Sequence, residues 1–163
     1  MLNITVAAIA VTISLIALTS TRRQQRFDAI LRVEDILQQQ DAIHGRRLLY
    51  ESSQRGKLPA NEEDIHNMFR TLTRFDTAAI LVRSGLVPKG WMLETWHLAL
   101  RELHGGFLLM INRWKANYWP DLTELIEEAR KFKCKKVCCN SDLEEAQPRF
   151  GLGPLRLPHR RRT

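Results

Sequence analysis

Two long stretches of this sequence repeat apolar residues at alternating spacings of three and four positions. That is the period of an α-helix that buries one face, whereas a half-buried strand alternates at every second residue. No convincing two-residue alternation occurs between residues 22 and 136. We therefore predict an all-α fold in which the two helices pack as an antiparallel hairpin. The repeating residues are Ile65, Met68, Leu72, Phe75, Ala79, Val82 and Leu86, then Leu93, Trp96, Leu100, Leu103, Phe107, Met110 and Trp114.

Capping, glycine and proline residues predict where these helices begin and end. Asn61, followed three positions later by Asp64, resembles a capping box at the start of the first stretch. Gly85 predicts the end of that helix, and Pro88 suits the first turn of the next one. Pro120 predicts the start of a further helix for the same reason.

The apolar residues before Gly56 predict one more helix, which continues from the N-terminal segment without an intervening proline or glycine before residue 45. Residues 38–41 of this helix are polar on every side, so we predict a bend there. Residues 21–136 are thus predicted to form a small antiparallel bundle of about four helices.

An apolar segment without charged side chains occupies residues 2–20. As a helix it spans about 28 Å, close to the ~30 Å hydrocarbon core of a bilayer. The basic residues Arg22, Arg23 and Arg26 follow it directly. A secretory signal peptide would instead carry basic residues before the apolar run and a small-residue cleavage site after it. We predict a single-pass transmembrane helix in the cell (inner) membrane, with the N-terminus outside and the helical domain cytoplasmic.

Small side chains form one stripe of this predicted membrane helix, at Ala7, Ala10, Ser14 and Ala17. Such a stripe allows two helices to approach closely in lipid, so homodimerisation through this face is one hypothesis. The alternative is that short apolar anchors contain many alanines and serines by composition alone.

Heptad positions of the predicted hairpin place Asp76 opposite His97. If Phe75 and Trp96 are core d positions, Asp76 and His97 are both e positions, and e faces e in an antiparallel pair. We predict a polar pair that sets the register of the two helices.

Gly105 and Gly106 lie inside the second helical stretch, where each glycine costs about 1 kcal/mol relative to alanine. We predict that they permit close approach by the first helix of the bundle. The functional alternative is a slot for a ligand.

Two Glu-x-x-His motifs, at residues 63–66 and 94–97, have the spacing that di-iron carboxylate bundles use. They open two antiparallel helices, so roughly 30 Å of helix axis separates them. A single metal centre cannot use both motifs.

The three cysteines, Cys134, Cys138 and Cys139, lack the paired spacing of a zinc finger, although His159 offers a fourth ligand. We predict free thiols, as expected in a cytoplasmic domain. Phosphate-binding loops, nucleophile elbows and zinc-protease motifs are absent from the sequence. We therefore predict no enzyme activity, no metal and no cofactor, and an enzyme built around His97, Asp76 and the glycine pair is the weakest hypothesis.

The basic character of the chain is confined to its end. The formal net charge is +7, and residues 130–163 hold ten Lys and Arg against three Asp and Glu. Residues 137–163 contain prolines and glycines without apolar periodicity, which predicts a disordered basic tail. A solvated tail without a specific partner is the first expectation. Between two competing partners, tethering to a membrane favours anionic lipid, and the scarcity of aromatic residues disfavours nucleic acid. The predicted contacts to an anionic surface are Arg22, Arg23, Arg26, Lys131, Lys133, Lys135 and Lys136.

Several segments resemble an uncharacterised bacterial family of short proteins with an N-terminal membrane helix and a cytoplasmic all-helical domain of unknown function. The resemblance covers roughly residues 2–130 and implies the anchor and the fold, but no catalytic residue. The segments that carry it are Arg47-Leu48-Leu49-Tyr50-Glu51, Phe75-Asp76, Leu81-Val82-Arg83-Ser84-Gly85-Leu86-Val87-Pro88, the region of Trp96, and Tyr118-Trp119.

These features together predict a non-enzymatic, single-pass membrane protein. Its cytoplasmic helical domain is expected to mediate protein–protein interaction, with an unidentified partner or with a second copy in a homo-oligomer. The alternative is a membrane-tethered binder of anionic lipid or nucleic acid that uses the basic C-terminal segment.

Overall fold

The computed structural model describes residues 2–115 and 118–133, with side chains from residue 12 onward. These residues form five α-helices and no strand, which confirms the all-α prediction. The predicted tail at residues 137–163, like the three cysteines and His159, lies outside the described residues. The helices are α1 (Leu2–Gln38), α2 (Gln40–Arg55), α3 (Glu62–Arg83), α4 (Lys89–Trp114) and α5 (Pro120–Lys131).

The first helix of the bundle bends where the polar residues predicted it. Gln39 separates α1 from α2 with an extended backbone, at φ −59° and ψ 144°. The side chains of residues 38–41 are all exposed, so no apolar contact holds a straight helix through them. Because of this bend, α2 is a separate helix whose axis does not continue that of α1.

The other helix ends follow from local signals. The Asn61 Oδ1 accepts a hydrogen bond from the Glu63 N–H at 3.1 Å, which caps α3. Gly85 has a φ of 75° in the turn after α3, a conformation that costs glycine little. Pro120 is the first residue of α5, as predicted.

The predicted side-by-side hairpin of α3 and α4 is not the arrangement observed. Each of these helices contacts α2 and α5 more extensively than it contacts the other. They therefore lie on a diagonal of the bundle, with α2 and α5 between them. Phe75 of α3 and Trp96 of α4 still meet across the core, with ring centroids 6.0 Å apart and planes nearly perpendicular.

The apolar repeats supply most of the core. Every predicted repeat residue is buried except Leu86 and Trp114. Leu86 is 37% exposed, whereas its neighbour Val87 is fully buried. The reason is that α3 ends at Arg83, so the helical period no longer decides which side chain of the turn faces inward.

Glycines bring α2 unusually close to both of its neighbours. A Cβ at Gly106 would lie 2.5 Å from the Leu49 carbonyl oxygen, and one at Gly105 would overlap Ser53. On the other side of α2, a Cβ at Gly45 would overlap Thr71 of α3. The predicted close approach by the first helix of the bundle is therefore confirmed.

Candidate functional site

The helix α1 has an exposed apolar part and a buried part. Ala29, Val33 and Leu37 are buried against the bundle, and the preceding arginines Arg22, Arg23 and Arg26 are exposed. The apolar side chains before the arginines are also exposed: Ile13 by 61%, Leu15 by 58%, Ile16 by 63% and Leu18 by 49%. One continuous helix thus joins an unpacked apolar segment to the core of the bundle.

Across the side chains that the structure describes, no helix combines the length and the apolar character needed to cross a membrane. The side chains of residues 2–11, within the predicted span, are outside that set. Of the predicted packing stripe, Ser14 and Ala17 are exposed, while Ala7 and Ala10 fall among those undescribed side chains.

Asp76 and His97 each make a hydrogen bond that the sequence analysis did not predict. The Asp76 Oδ1 accepts a hydrogen bond from the Leu122 N–H at 2.9 Å, so this carboxylate caps the first turn of α5. His97 is 3% exposed, and its Nδ1 donates to the Leu93 carbonyl at 2.9 Å. The contact shown for Asp76 is with α5, which packs beside α3. The predicted register pair of Asp76 and His97 stays a prediction.

The electrostatic surroundings of Asp76 also come from α5. Burial raises the pKa of this carboxyl, and the nearby Asp121 raises it further. The hydrogen bond from Leu122 and the charge of Arg83 act in the opposite direction. Arg83 itself forms an ion pair with Asp121, which is only 9% exposed.

A cleft of about 190 Å³ lies between α3, α4 and α5, and Arg83 and Asp121 are among the residues that line it. Both of its cations, Arg83 and Lys89, are already paired with carboxylates. The Lys89 Nζ donates to Glu128 at 2.7 Å, which raises the pKa of the lysine. We interpret this cleft as part of the packing of α5 and not as a ligand site, because its cations already have carboxylate partners.

A cavity of about 220 Å³ opens between α2 and α4. Arg46 is one of its lining residues, and the Arg46 guanidinium lies 5.3 Å from the centre of the Trp96 ring. The Arg46 Nε and the Trp96 Nε1 are both buried, and neither has a hydrogen-bond acceptor among the described residues. The cavity is lined by Ile43, Arg46, Arg47, Tyr50, Ala99, Glu102 and Leu103.

Sequence reasoning did not find this cavity. Arg46 belongs to an Arg-Arg dipeptide on a helix, which is usually a solvated feature. Arg46 on α2 contacts Trp96 on α4, fifty positions later in the sequence. The local spacing of apolar residues does not predict a contact between positions so far apart. The only sequence signal was indirect, namely the glycines that let these two helices approach each other.

Metal-binding groups do not converge in the described part of the chain. No cluster of three or more His, Cys, Asp or Glu side chains there could hold a metal ion. Of the Glu-x-x-His motifs, Glu63, His66 and Glu94 are exposed and His97 is buried.

The basic residues at the end of α5 are only partly described. Lys131 and Lys133 are exposed, whereas Lys135 and Lys136 lie beyond the described residues. Binding of anionic lipid or nucleic acid through this segment stays a prediction.

No protein-family model matches this chain, and neither the curated proteins nor the solved structures include a significant match. The resemblance to the uncharacterised bacterial family likewise stays a prediction.

Proposed function

We propose that this chain is a single-pass membrane protein without enzymatic activity, whose cytoplasmic helical bundle binds a protein partner or a second copy of itself. The observation that carries the proposal is the continuity of α1. Its apolar N-terminal part meets the arginines and then enters the core through Ala29, Val33 and Leu37. A bundle attached in this way is held at a short, fixed distance from its anchor.

Exposed apolar side chains on the bundle support a role in protein binding. Isolated exposed apolar residues are ordinary on a protein surface, but these include large ones that a partner could cover. Tyr118 is 56% exposed, at the edge of a cluster of rings with Phe69 and Trp119. Ile43 and Tyr50 are 42% and 46% exposed on α2.

The membrane anchor is tested by placing a charge in the middle of the apolar segment. We expect Ile13→Arg to reduce the fraction of the protein that sediments with membranes after alkaline extraction, because arginine near the centre of a span costs about 2.5 to 3.5 kcal/mol. The matched control is Gln24→Arg, which adds the same charge to an exposed site of α1 beyond the segment. Wild-type protein that is released by alkali, or equal behaviour of both variants, would contradict the anchor.

Self-association is tested separately by disulfide cross-linking in native membranes. In a chain whose own cysteines are replaced by serine, we expect Ala17→Cys to cross-link more efficiently than Ile16→Cys if the small-residue stripe is the contact. Equal cross-linking would argue against a specific face. The protein-binding role would then be tested with a photoreactive group placed at Tyr118, which would cross-link to a bound partner.

A further inference from the structure

Arg46 differs from two other arginines of the bundle that have ionic partners. Arg74 makes two hydrogen bonds with Asp41, and Arg113 is 2.8 Å from Glu62. Arg46 forms no ion pair with any described residue, although it is half-buried and its Nε is fully shielded from solvent. Burial of an Nε–H without an acceptor is costly, because its lost hydration is not replaced.

Arg113 provides a direct comparison, since it also lies over an indole ring. Its guanidinium is 5.8 Å from the centre of the Trp114 ring, similar to the 5.3 Å between Arg46 and Trp96. Stacking on tryptophan therefore does not explain the missing carboxylate at Arg46. Arg113 is exposed, whereas Arg46 is half-buried and borders the cavity of about 220 Å³.

The charges around the cavity limit the kind of anion it can accept. Arg47 is 3.6 Å from Glu51, so its charge is partly offset outside the cavity. Glu102, on the wall that α4 contributes, acts on Arg46 from a longer distance. With one unpaired guanidinium and one carboxylate in the lining, a singly charged anion is favoured over a doubly charged one.

The remaining lining is apolar or aromatic. Ile43, Ala99 and Leu103 contribute aliphatic surface, and Tyr50 contributes a ring. A bound molecule would therefore need a compact anionic group at one end and an apolar body at the other. The planar guanidinium matches a carboxylate through two parallel hydrogen bonds.

We propose that the cavity between α2 and α4 binds a small organic monocarboxylate, with Arg46 as the residue that holds its carboxylate group. This inference goes beyond the proposed membrane-anchored binding role and does not depend on it.

Benzoate is the probe, and the full chain in detergent micelles is titrated with it. The arginine Nε–H signals are followed by nuclear magnetic resonance, with Arg46 assigned from the signal missing in Arg46→Lys. We expect a saturable shift of the Arg46 signal with a Kd of about 1 mM or tighter. Benzyl alcohol, which has the same ring without the charge, should cause no such shift, and the Arg113 signal should stay in place.

Substitution separates binding at Arg46 from general partitioning into the micelle. Calorimetry should show benzoate binding weakened about tenfold or more in Arg46→Lys, which keeps the charge but loses the planar fork. The matched control Arg113→Lys should bind benzoate like the wild type, and circular dichroism establishes that both variants are folded. Unchanged affinity in Arg46→Lys, no saturable shift in the wild type, or a stronger response to inorganic phosphate than to benzoate would each overturn the proposal.

Discussion

At the scale of single residues, two aspartates on the surface of the bundle have opposite environments. Asp76 is partly buried under the first turn of α5, and its pKa is raised by that burial. Asp41 is exposed and accepts two hydrogen bonds from Arg74 at 2.6 Å, which lower its pKa. The first carboxylate positions a helix at the cost of desolvating its charge, whereas the second gains an ionic partner without being buried.

These shifts predict opposite effects on the pH dependence of stability. A raised folded-state pKa means that the contribution of Asp76 is fully present below the ordinary value of 3.8 and is lost as the pH rises through the folded pKa. The lowered pKa of Asp41 means that its contribution is present above 3.8 and is lost as the pH falls through the folded pKa. We expect the stability of Asp76→Asn relative to wild type to increase as the pH rises. The stability of Asp41→Asn relative to wild type should decrease as the pH rises. Denaturant unfolding in micelles at several pH values measures both slopes, and slopes of the same sign would contradict the assignment.

The cap on α5 can be separated from the charge of Asp76. We expect Asp76→Asn to be nearly as stable as wild type at neutral pH, because an amide oxygen still accepts the Leu122 N–H and no charge is buried. Asp76→Ala loses the acceptor and should cost about 1 kcal/mol, as is typical for a helix cap. Equal destabilisation by both substitutions would show that the hydrogen bond is not the important contact.

At the scale of helices, close packing of α2 determines which elements are neighbours. Gly106 and Gly105 admit α2 against α4, and Gly45 admits it against α3. Both contacts require the absence of a Cβ, so α2 can lie between α3 and α4 while their longer apolar side chains fill the centre. The periodicity of each helix was readable from the sequence, but the choice of neighbours depended on these glycines on α2 and α4.

Replacing glycine by alanine should have opposite effects at two positions of α4. We expect Gly106→Ala to destabilise the protein by about 1 to 3 kcal/mol, because its Cβ would press on the Leu49 backbone and outweigh alanine's better helix propensity. Gly90→Ala is the matched control, since nothing lies within 4 Å of its added Cβ. It should stabilise the protein by about 0.5 to 1 kcal/mol. Thermal and denaturant unfolding compare the two, and a stabilising Gly106→Ala would contradict the close approach.

At the scale of the whole described molecule, α1 is both the entry to the fold and part of its core. Among the side chains of α1 that the structure describes, from residue 12 onward, Ala29 is the first buried one. It lies nine positions after residue 20, or about 14 Å along a helix. Val33 and Leu37 continue the buried stripe toward the bend at Gln39. Any force on the N-terminal part of α1 therefore acts directly on the bundle.

The attachment of α1 predicts a strong contrast between two leucines on the same helix. Leu37 is fully buried, so Leu37→Ala should cost about 2 to 5 kcal/mol through lost burial and a cavity. Leu31 is 48% exposed on another face, and Leu31→Ala should change the free energy of unfolding by less than about 0.5 kcal/mol. Similar costs for both would mean that α1 does not pack on the bundle as described.

By itself, the sequence determined the helical class, the bend at residues 38–41, the cap at Asn61 and the close approach of another helix at Gly105 and Gly106. These features depend on residues that lie within a few positions of one another, so they can be predicted without knowing which helix packs against them. Tertiary structure alone decided that α3 and α4 lie on a diagonal, that Asp76 caps α5, and that Arg46 borders a cavity. Helices with similar apolar faces can pack in several orders, and contacts between distant positions select one of them.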